Sequence, residues 1–283
     1  MTIIKKQLQA LTLMGLSGLS INALAADTAS EHAHSTLHSA MLPSSMSDEH
    51  VHEHGSEIYQ SSRLDSRWLI DKHGTGHLKS ELKSFIGSDE NKLFIKAELE
   101  KAEGDSSSYS IAPMYSRNVS DFWDLQMGVR YKSDVVEKNQ LDQLDQSSLR
   151  SYKERNHRVD AVVGMYGLAP YFIETEGYLY VGQDQHVSLS LETEREFLLT
   201  QKTILQPYMK LHVLLHEQSD EAKKKGVSEV QAGLKTYYKI NPKVMPFIDV
   251  AYQYENGTKG SIYQDAEPSE KGWLYGAGIS FNF

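Results

Sequence analysis

The sequence predicts an all-β protein: an antiparallel transmembrane β-barrel of twelve strands, preceded by a disordered His-rich tail. Three observations carry that prediction. From about residue 61 onward, runs in which every second residue is apolar recur along the chain. The long connections between them all fall at odd positions in the series, and the even ones are short. No stretch after the first 25 residues approaches the roughly 18 to 20 apolar residues of a membrane-crossing helix, and the mean hydropathy is only -0.48. Strands with one face in lipid and one in water average to such modest values.

The chain opens on a leader-like segment, 1–25. Lys5 and Lys6 precede an apolar stretch from Leu8 to Leu24 that is too short to span a bilayer, and Ala23-Leu24-Ala25 has the small-x-small pattern of a cleavage site. Cleavage there removes two lysines and no acid, taking the formal charge from -9 to about -11. So acidic a chain makes nucleic acid an unsuitable partner. Cysteine is absent, so no disulfide supports this exported chain. Stability has to come from a hydrogen-bonded framework, a core or lipid.

Residues 26–59 form a polar tail with too little apolar surface to fold alone. His32, His34, His38, His50, His52 and His54 lie in it, with Met41 and Met46 between them, so six of the twelve histidines fall within 23 residues. Such His-rich tracts are read as metal-binding. Imidazole suits copper, zinc and nickel, whereas thioether sulfur favours Cu(I). His52-Glu53-His54 with His50 forms a candidate site for a divalent ion such as Cu(II), and Met41 and Met46 with His38 a candidate site for Cu(I). The methionines favour copper, and zinc and nickel stay open. The competing reading is a solubilising linker.

Residues 60–283 supply the barrel, in runs at 61–70, 75–86, 91–103, 107–117, 122–132, 157–168, 171–181, 185–198, 202–216, 227–239, 243–255 and 272–283. The last shows the pattern plainly: Trp273, Tyr275, Ala277, Ile279, Phe281 and Phe283 alternate with small or polar residues. Ending on phenylalanine resembles the C-terminal assembly signal of outer-membrane barrels. An even count returns both barrel termini to one side; ten strands would result if 61–86 were a plug or linker. With a periplasmic N-terminus the long connections, 133–156, 217–226 and 256–271, face outward. The short ones, such as 87–90, Ala169-Pro170 and Asn241-Pro242, face the periplasm. Pro113, Pro207 and Pro246 fall inside runs, each removing a ladder donor and predicting a strand end or bulge.

The inward faces of these strands are acidic, with Glu98, Glu100, Glu174, Glu176, Glu192, Glu194, Glu196 and Asp249 among Lys96, Arg130, Lys210 and Lys235. Two outcomes are consistent with this: a passage for cations, or a lumen filled by mutually paired charges. The second is favoured. His212 and His216, four apart on one strand face, are weaker candidates for a second metal site, although a hydrogen-bond network is the commoner use of such a pair.

Several stretches resemble the copper resistance protein B family. They are Gly87-Ser88-Asp89-Glu90-Asn91-Lys92-Leu93 with Lys96; Tyr115-Ser116-Arg117 through Phe122-Trp123-Asp124-Leu125-Gln126 to Gly128-Val129-Arg130-Tyr131; Gly167-Leu168-Ala169-Pro170-Tyr171-Phe172; and Glu192 to Pro207. The similarity covers roughly 60–283, and the motifs lie mostly at expected turns and strand ends, where they read as fold and assembly signals. The resemblance implies an outer-membrane copper-resistance role, with copper held by a Met- and His-rich N-terminal region. It implies no catalytic residue. Family tails often repeat Met-Asp-His units, and this tail is instead richer in histidine, which leaves the preferred oxidation state of copper open.

The expected partners are outer-membrane lipid, the barrel-assembly machinery and a periplasmic multicopper oxidase or copper chaperone. Two other functions remain to be separated from this one. A solute-specific porin with an incidental tail would take up solute whether or not 31–54 were present. An outer-membrane lipase would need a His-x-Ser-Asn-Gly motif on its outer wall, and His186-Val187-Ser188 lacks the Asn-Gly.

Overall fold

The computed structural model describes residues 58–104, 107–141, 149–183, 185–217, 224–257 and 268–283, with only the backbone described at 136–141 and 149–154. The leader and the tail histidines and methionines lie outside the described residues. The described chain forms twelve strands: β1 Tyr59–Ile70, β2 Gly76–Gly87, β3 Asn91–Ala102, β4 Ser107–Ser120, β5 Trp123–Leu141, β6 Leu149–Ala169, β7 Ile173–Gly182, β8 Val187–Glu194, β9 Thr203–His216, β10 Gly226–Tyr238, β11 Val244–Glu255 and β12 Glu270–Asn282. Phe197–Leu198 continues β8 beyond a break at Arg195 and Glu196 and pairs with Ile204 and Leu205 of β9.

Every strand pairs antiparallel with the next, and β12 returns to β1 from Arg63↔Asn282 to Ile70↔Tyr275, which closes the barrel at twelve strands. Residues 61–86 are therefore two wall strands rather than a plug. At the seam the Ser62 N–H donates to the Phe283 carbonyl at 2.8 Å and the Phe283 N–H to that of Ser62 at 3.0 Å. Gly276 lets β12 approach this closely, because a Cβ there would stand 2.1 Å from the Trp68 carbonyl oxygen. Closure leaves no edge to be satisfied by water, which is the condition for crossing lipid with strands.

Both ends of the described barrel, Tyr59 and Phe283, lie at one rim, here called the near end. The near-end turns are short, and side-chain acceptors hold two of them. Asn241 Oδ1 accepts from the N–H groups of Lys243 and Val244 at 2.9 and 2.8 Å, and Thr200 Oγ1 from those of Lys202 and Thr203 at 3.2 and 2.9 Å. At the far end the β1–β2 turn is built on Asp71, whose Oδ1 accepts from the N–H groups of His73 and Thr75 at 2.8 and 2.9 Å. Burial raises the Asp71 pKa, but these bonds and His77 outweigh that and hold the carboxyl below the usual carboxylate range.

The expected long connection 133–156 is corrected by the structure. β5 runs on to Leu141 and β6 returns from Leu149, with the pairing unbroken to Leu141↔Leu149. The sequence there carries no apolar alternation, so a period-two reading finds no strand. The three prolines stand where a ladder lapses. Pro113 pairs with Ile95, but β4–β5 pairing is interrupted between Ile111↔Tyr131 and Met114↔Gly128. Pro207 lies against the break in β8, and Pro246 just outside the β10–β11 ladder.

The outer face carries exposed Leu93, Ile111, Met127, Val163, Val181, Ile248 and many like them. Trp68, Tyr109, Tyr115, Phe122, Tyr171, Phe172, Tyr252, Trp273 and Tyr275 are also exposed, as expected of an aromatic belt. Inside, Phe94, Met114, Val162, Tyr178 and Tyr180 form one buried cluster, and Leu69, Tyr208, Ala251 and Leu274 another.

Gly276→Ala should strain the seam by about 1–3 kcal/mol, the usual range for overpacking. It is expected to lower the urea midpoint at which the heat-modifiable folded band is lost on electrophoresis. An unchanged midpoint would show that the seam relaxes freely.

Candidate functional site

The alternation that places Leu, Val and aromatic residues on the outside sends the intervening residues of each strand into the lumen. From opposite walls these residues meet in ion pairs. Lys96 on β3 donates to Glu176 on β7 and Glu192 on β8, both at 2.9 Å. Lys83 on β2 also donates to Glu176. Lys210 on β9 bonds Glu81 on β2 at 2.9 Å and Glu192 at 3.0 Å. These strands face each other across a twelve-stranded ring, so the pairs form a belt through the middle of the bore.

The belt is buried, with the Glu176 and Lys96 side chains 2 % and 7 % exposed. Two charges so removed from water are tolerable only while paired, and deleting one partner costs about 3–5 kcal/mol. Next to the belt, Arg67 bonds Asp249 at 2.8 Å, and the Tyr208 hydroxyl donates to the same carboxylate at 3.0 and 3.1 Å. Lys235 lies 3.6 Å from Asp65. Arg130 donates from Nε to Asp160 at 2.9 Å, Lys79 pairs with Glu100 at 2.9 Å and Arg63 with Glu196 at 3.1 Å. Glu174 accepts from the Tyr166 hydroxyl at 2.9 Å. Of the lumenal carboxylates expected from the sequence, Glu100, Glu176, Glu192, Glu196 and Asp249 are drawn into a charge-paired filling, and Glu98 lies 3.7 Å from Lys96.

Several partners were absent from the sequence expectations, namely Asp65, Arg67, Glu81, Lys83 and Asp160. The signal for four of them is an i, i+2 pattern, Arg63-Asp65-Arg67 on β1 and Lys79-Glu81-Lys83 on β2, which the serines on the outer faces of those strands obscure.

The turn motifs singled out in the sequence also meet in space. Lys92 donates to Asp124 at 3.0 Å, Ser116 to Asp124 at 3.2 Å, Gln126 to Ser116 at 3.1 Å and Tyr178 to Gln126 at 2.6 Å. This network ties β3, β4, β5 and β7 together on the near-end side, which fits their reading as fold signals.

The two histidines on β9 part company. His216 sits at the far rim, its Nε2 3.2 Å from Gln185 Oε1 and its Nδ1 3.0 Å from Lys225 Nζ. His212 lines a cavity of about 120 Å³ above the belt, where carboxylates including Glu81, Glu192 and Glu229 are interspersed with Arg67, Lys79, Lys210 and Lys235. Between them the register shifts twice, by one extra residue of β10 at Ser228 and one of β9 at Leu215. Among the described residues, no three His, Asp or Glu side chains already converge on one point. The His186 and Ser188 side chains do touch, Nε2 to Oγ at 3.0 Å. Ser188 shares the inward face of β8 with the buried Ser190 and Glu192, away from the outer wall where a lipid ester would be presented.

A closed antiparallel barrel with an apolar, aromatic-studded exterior and a charge-paired interior defines an outer-membrane β-barrel protein. The family model described as copper resistance protein B precursor (CopB) matches residues 61–283, and the chain belongs to that family. Copper resistance protein B of Escherichia coli is 25% identical over 199 residues, which make up 70% of this chain and 61% of that protein. The homolog from Pseudomonas syringae pv. tomato is 23% identical over 210 residues, 72% of this chain and 65% of the relative. The chain thus matches less than two thirds of the length of these relatives. Among solved structures, the NanC porin aligns with a TM-score of 0.49 and 13% identity over 77% of this chain and 98% of its own. The KdgM porin aligns with a TM-score of 0.45 and 11% identity over 78% and 99%.

Lys96→Met is expected to leave Glu176 and Glu192 short of a partner. The variant should unfold at lower urea concentration and raise single-channel conductance in planar bilayers above that of the parent. Unchanged values for both would mean that the belt neither stabilises nor obstructs the bore.

Proposed function

We propose that this protein serves copper resistance at the outer membrane, capturing excess periplasmic copper on its N-terminal tail and sequestering or exporting it, with the barrel as anchor. The observation that carries the proposal is the joining of eight ligating side chains, His32, His34, His38, Met41, Met46, His50, His52 and His54, to a barrel of the copper resistance protein B family. Copper is the cargo here. Imidazoles would take Cu(II) and thioethers Cu(I). In this proposal residues 1–25 are a cleaved leader and 26–59 the tail, which hangs in the periplasm within reach of a multicopper oxidase or copper chaperone.

The cross-lumen belt supports sequestration ahead of export, because an ion leaving through the bore would have to pass Lys96 and Lys210 between their carboxylates. The same belt argues against an open solute porin. Nothing in the proposal calls for chemistry at Ser188.

Full-length protein in which the six tail histidines are replaced by alanine should lose most of its Cu(II) capacity in equilibrium titration. Cells whose copy lacks 31–54 should tolerate less copper while solute uptake stays unchanged. If the intact tail adds no copper binding, the proposal loses its chemistry.

A further inference from the structure

Between β3 and β6 the outer wall changes character toward the far rim. Ile111, Val129 and Val159 are exposed and apolar, as lipid requires. Tyr131 lies in the same cross-strand row as Ile111 and Val159. The next row toward the rim carries Tyr109 and His157, and the one after it Lys101 and Arg155.

These outward side chains hold one another. Arg155 reaches from β6 across β5, bonding Ser133 Oγ at 3.1 Å, and its guanidinium lies 6.0 Å from the centre of the Tyr109 ring on β4. His157 stacks on Tyr131 with centroids 5.8 Å apart, and its Nδ1 is 2.7 Å from the Tyr131 hydroxyl, so Nε2 remains for another partner. The Tyr131 and Tyr109 rings are 6.1 Å apart. Lys101 is the diagonal neighbour of Tyr109 in the β3–β4 ladder, a placement that sets residues about 7–8 Å apart.

We infer that this patch binds a phosphorylated glycolipid of the outer leaflet, with its phosphate on Arg155, Lys101 and His157 and its acyl chains on Ile111, Val129 and Val159. Charge carries the inference. On the lumenal side of β5 and β6 the cations are matched by carboxylates, Lys132 by Asp134 at 2.9 Å and Arg130 and Arg158 by Asp160. Glu100, next to Lys101 in the chain, turns inward to Lys79. On the outer side, among the described side chains, no carboxylate pairs with Lys101, Arg155 or His157. The nearest outward acid along β3, Glu103, lies past the strand end, where its N–H bonds the Gly76 carbonyl at 2.7 Å.

A chain of formal charge -9 thus places basic groups without acidic partners at the lipid boundary, where each Lys or Arg strengthens attachment to an anionic headgroup. An arginine fork grips two phosphate oxygens at once, and Tyr109 and Tyr131 supply the amphipathic rings usual at headgroup depth. Free phosphate would use the cations alone. The apolar wall directly below them suits an amphiphile. The far rim is extracellular in the orientation proposed above, and the inference rests on that reading only for its choice of leaflet; copper plays no part in it.

Purified full-length protein in detergent is titrated with bis-phosphorylated lipid A, and bound lipid is counted by native mass spectrometry. One tightly held lipid is expected. Lys101→Gln combined with Arg155→Gln, checked for a folded, heat-modifiable band, should weaken binding about 10–30-fold, at roughly fivefold for each basic side chain. Lys225→Gln combined with Lys271→Gln removes the same charge elsewhere on the far rim and should leave binding unchanged. Lipid A stripped of its phosphates should bind the parent protein as weakly as the intact lipid binds the Lys101 and Arg155 variant. The inference is overturned if that variant, folded, binds like its parent, if the Lys225 and Lys271 variant is weakened as much, or if removing the phosphates changes nothing. It is also overturned if inorganic phosphate or phosphatidylglycerol competes as well as lipid A, since the site would then take an ion or any anionic lipid. None of these results bears on whether the tail binds copper.

Discussion

The structure depends on one constraint, that backbone hydrogen bonds must be closed in a medium that offers none. In lipid each unpaired N–H or C=O costs several kcal/mol, so a strand-built wall can have no edge. β1 therefore has to find β12, and the exchange between Ser62 and Phe283 with the close approach at Gly276 is where that happens. Once the ring is closed, the period of two along each strand decides everything else. One face must suit lipid, and the other is left to fill a bore.

Filling that bore without a conventional core is the second problem the sequence solves. Aromatic clusters occupy part of it, around Phe94 and Tyr178 and around Leu69 and Tyr208. Charge pairs crossing from β2 and β3 to β7, β8 and β9 occupy the middle. Such pairs contribute little net stability against apolar packing, but their loss on one side is expensive. That asymmetry makes the belt a specific lock. It holds opposite walls in one arrangement, and it divides a near half bound by the Asp124 network from a far half bearing the histidines.

Much of this was legible in the sequence. Alternation marked twelve runs in the right places, and the division into short and long connections correctly assigned turns to the two ends. The inward acidic residues from Glu98 to Asp249 were found by parity alone. What escaped has physical reasons. Residues 133–141 and 149–156 continue β5 and β6 without apolar alternation, so they look like a polar loop. Asp65 and Glu81 escaped because Ser62, Ser66, Ser80 and Ser84 interrupt the apolar faces of β1 and β2; in the structure the serines pair across that face, at 2.8 and 2.9 Å. His212 and His216 meet different partners because a four-residue spacing assumes an unbroken strand, and an extra residue at Leu215 interrupts this one.

By itself the sequence determined most of the wall: which residues of each run face lipid and, outside the β5–β6 hairpin, where the strands turn, since a period of two is a local property of the chain. It also determined where the histidines and methionines of 26–59 and the inward charges fall along the chain. Only the tertiary structure decided which inward charges meet. Lys96 and Glu192 stand 96 positions apart in the chain, and their pairing follows from the curvature that brings β3 opposite β8. Ring closure places them together, along with the carboxylates that share a cavity with His212, and no local pattern records it.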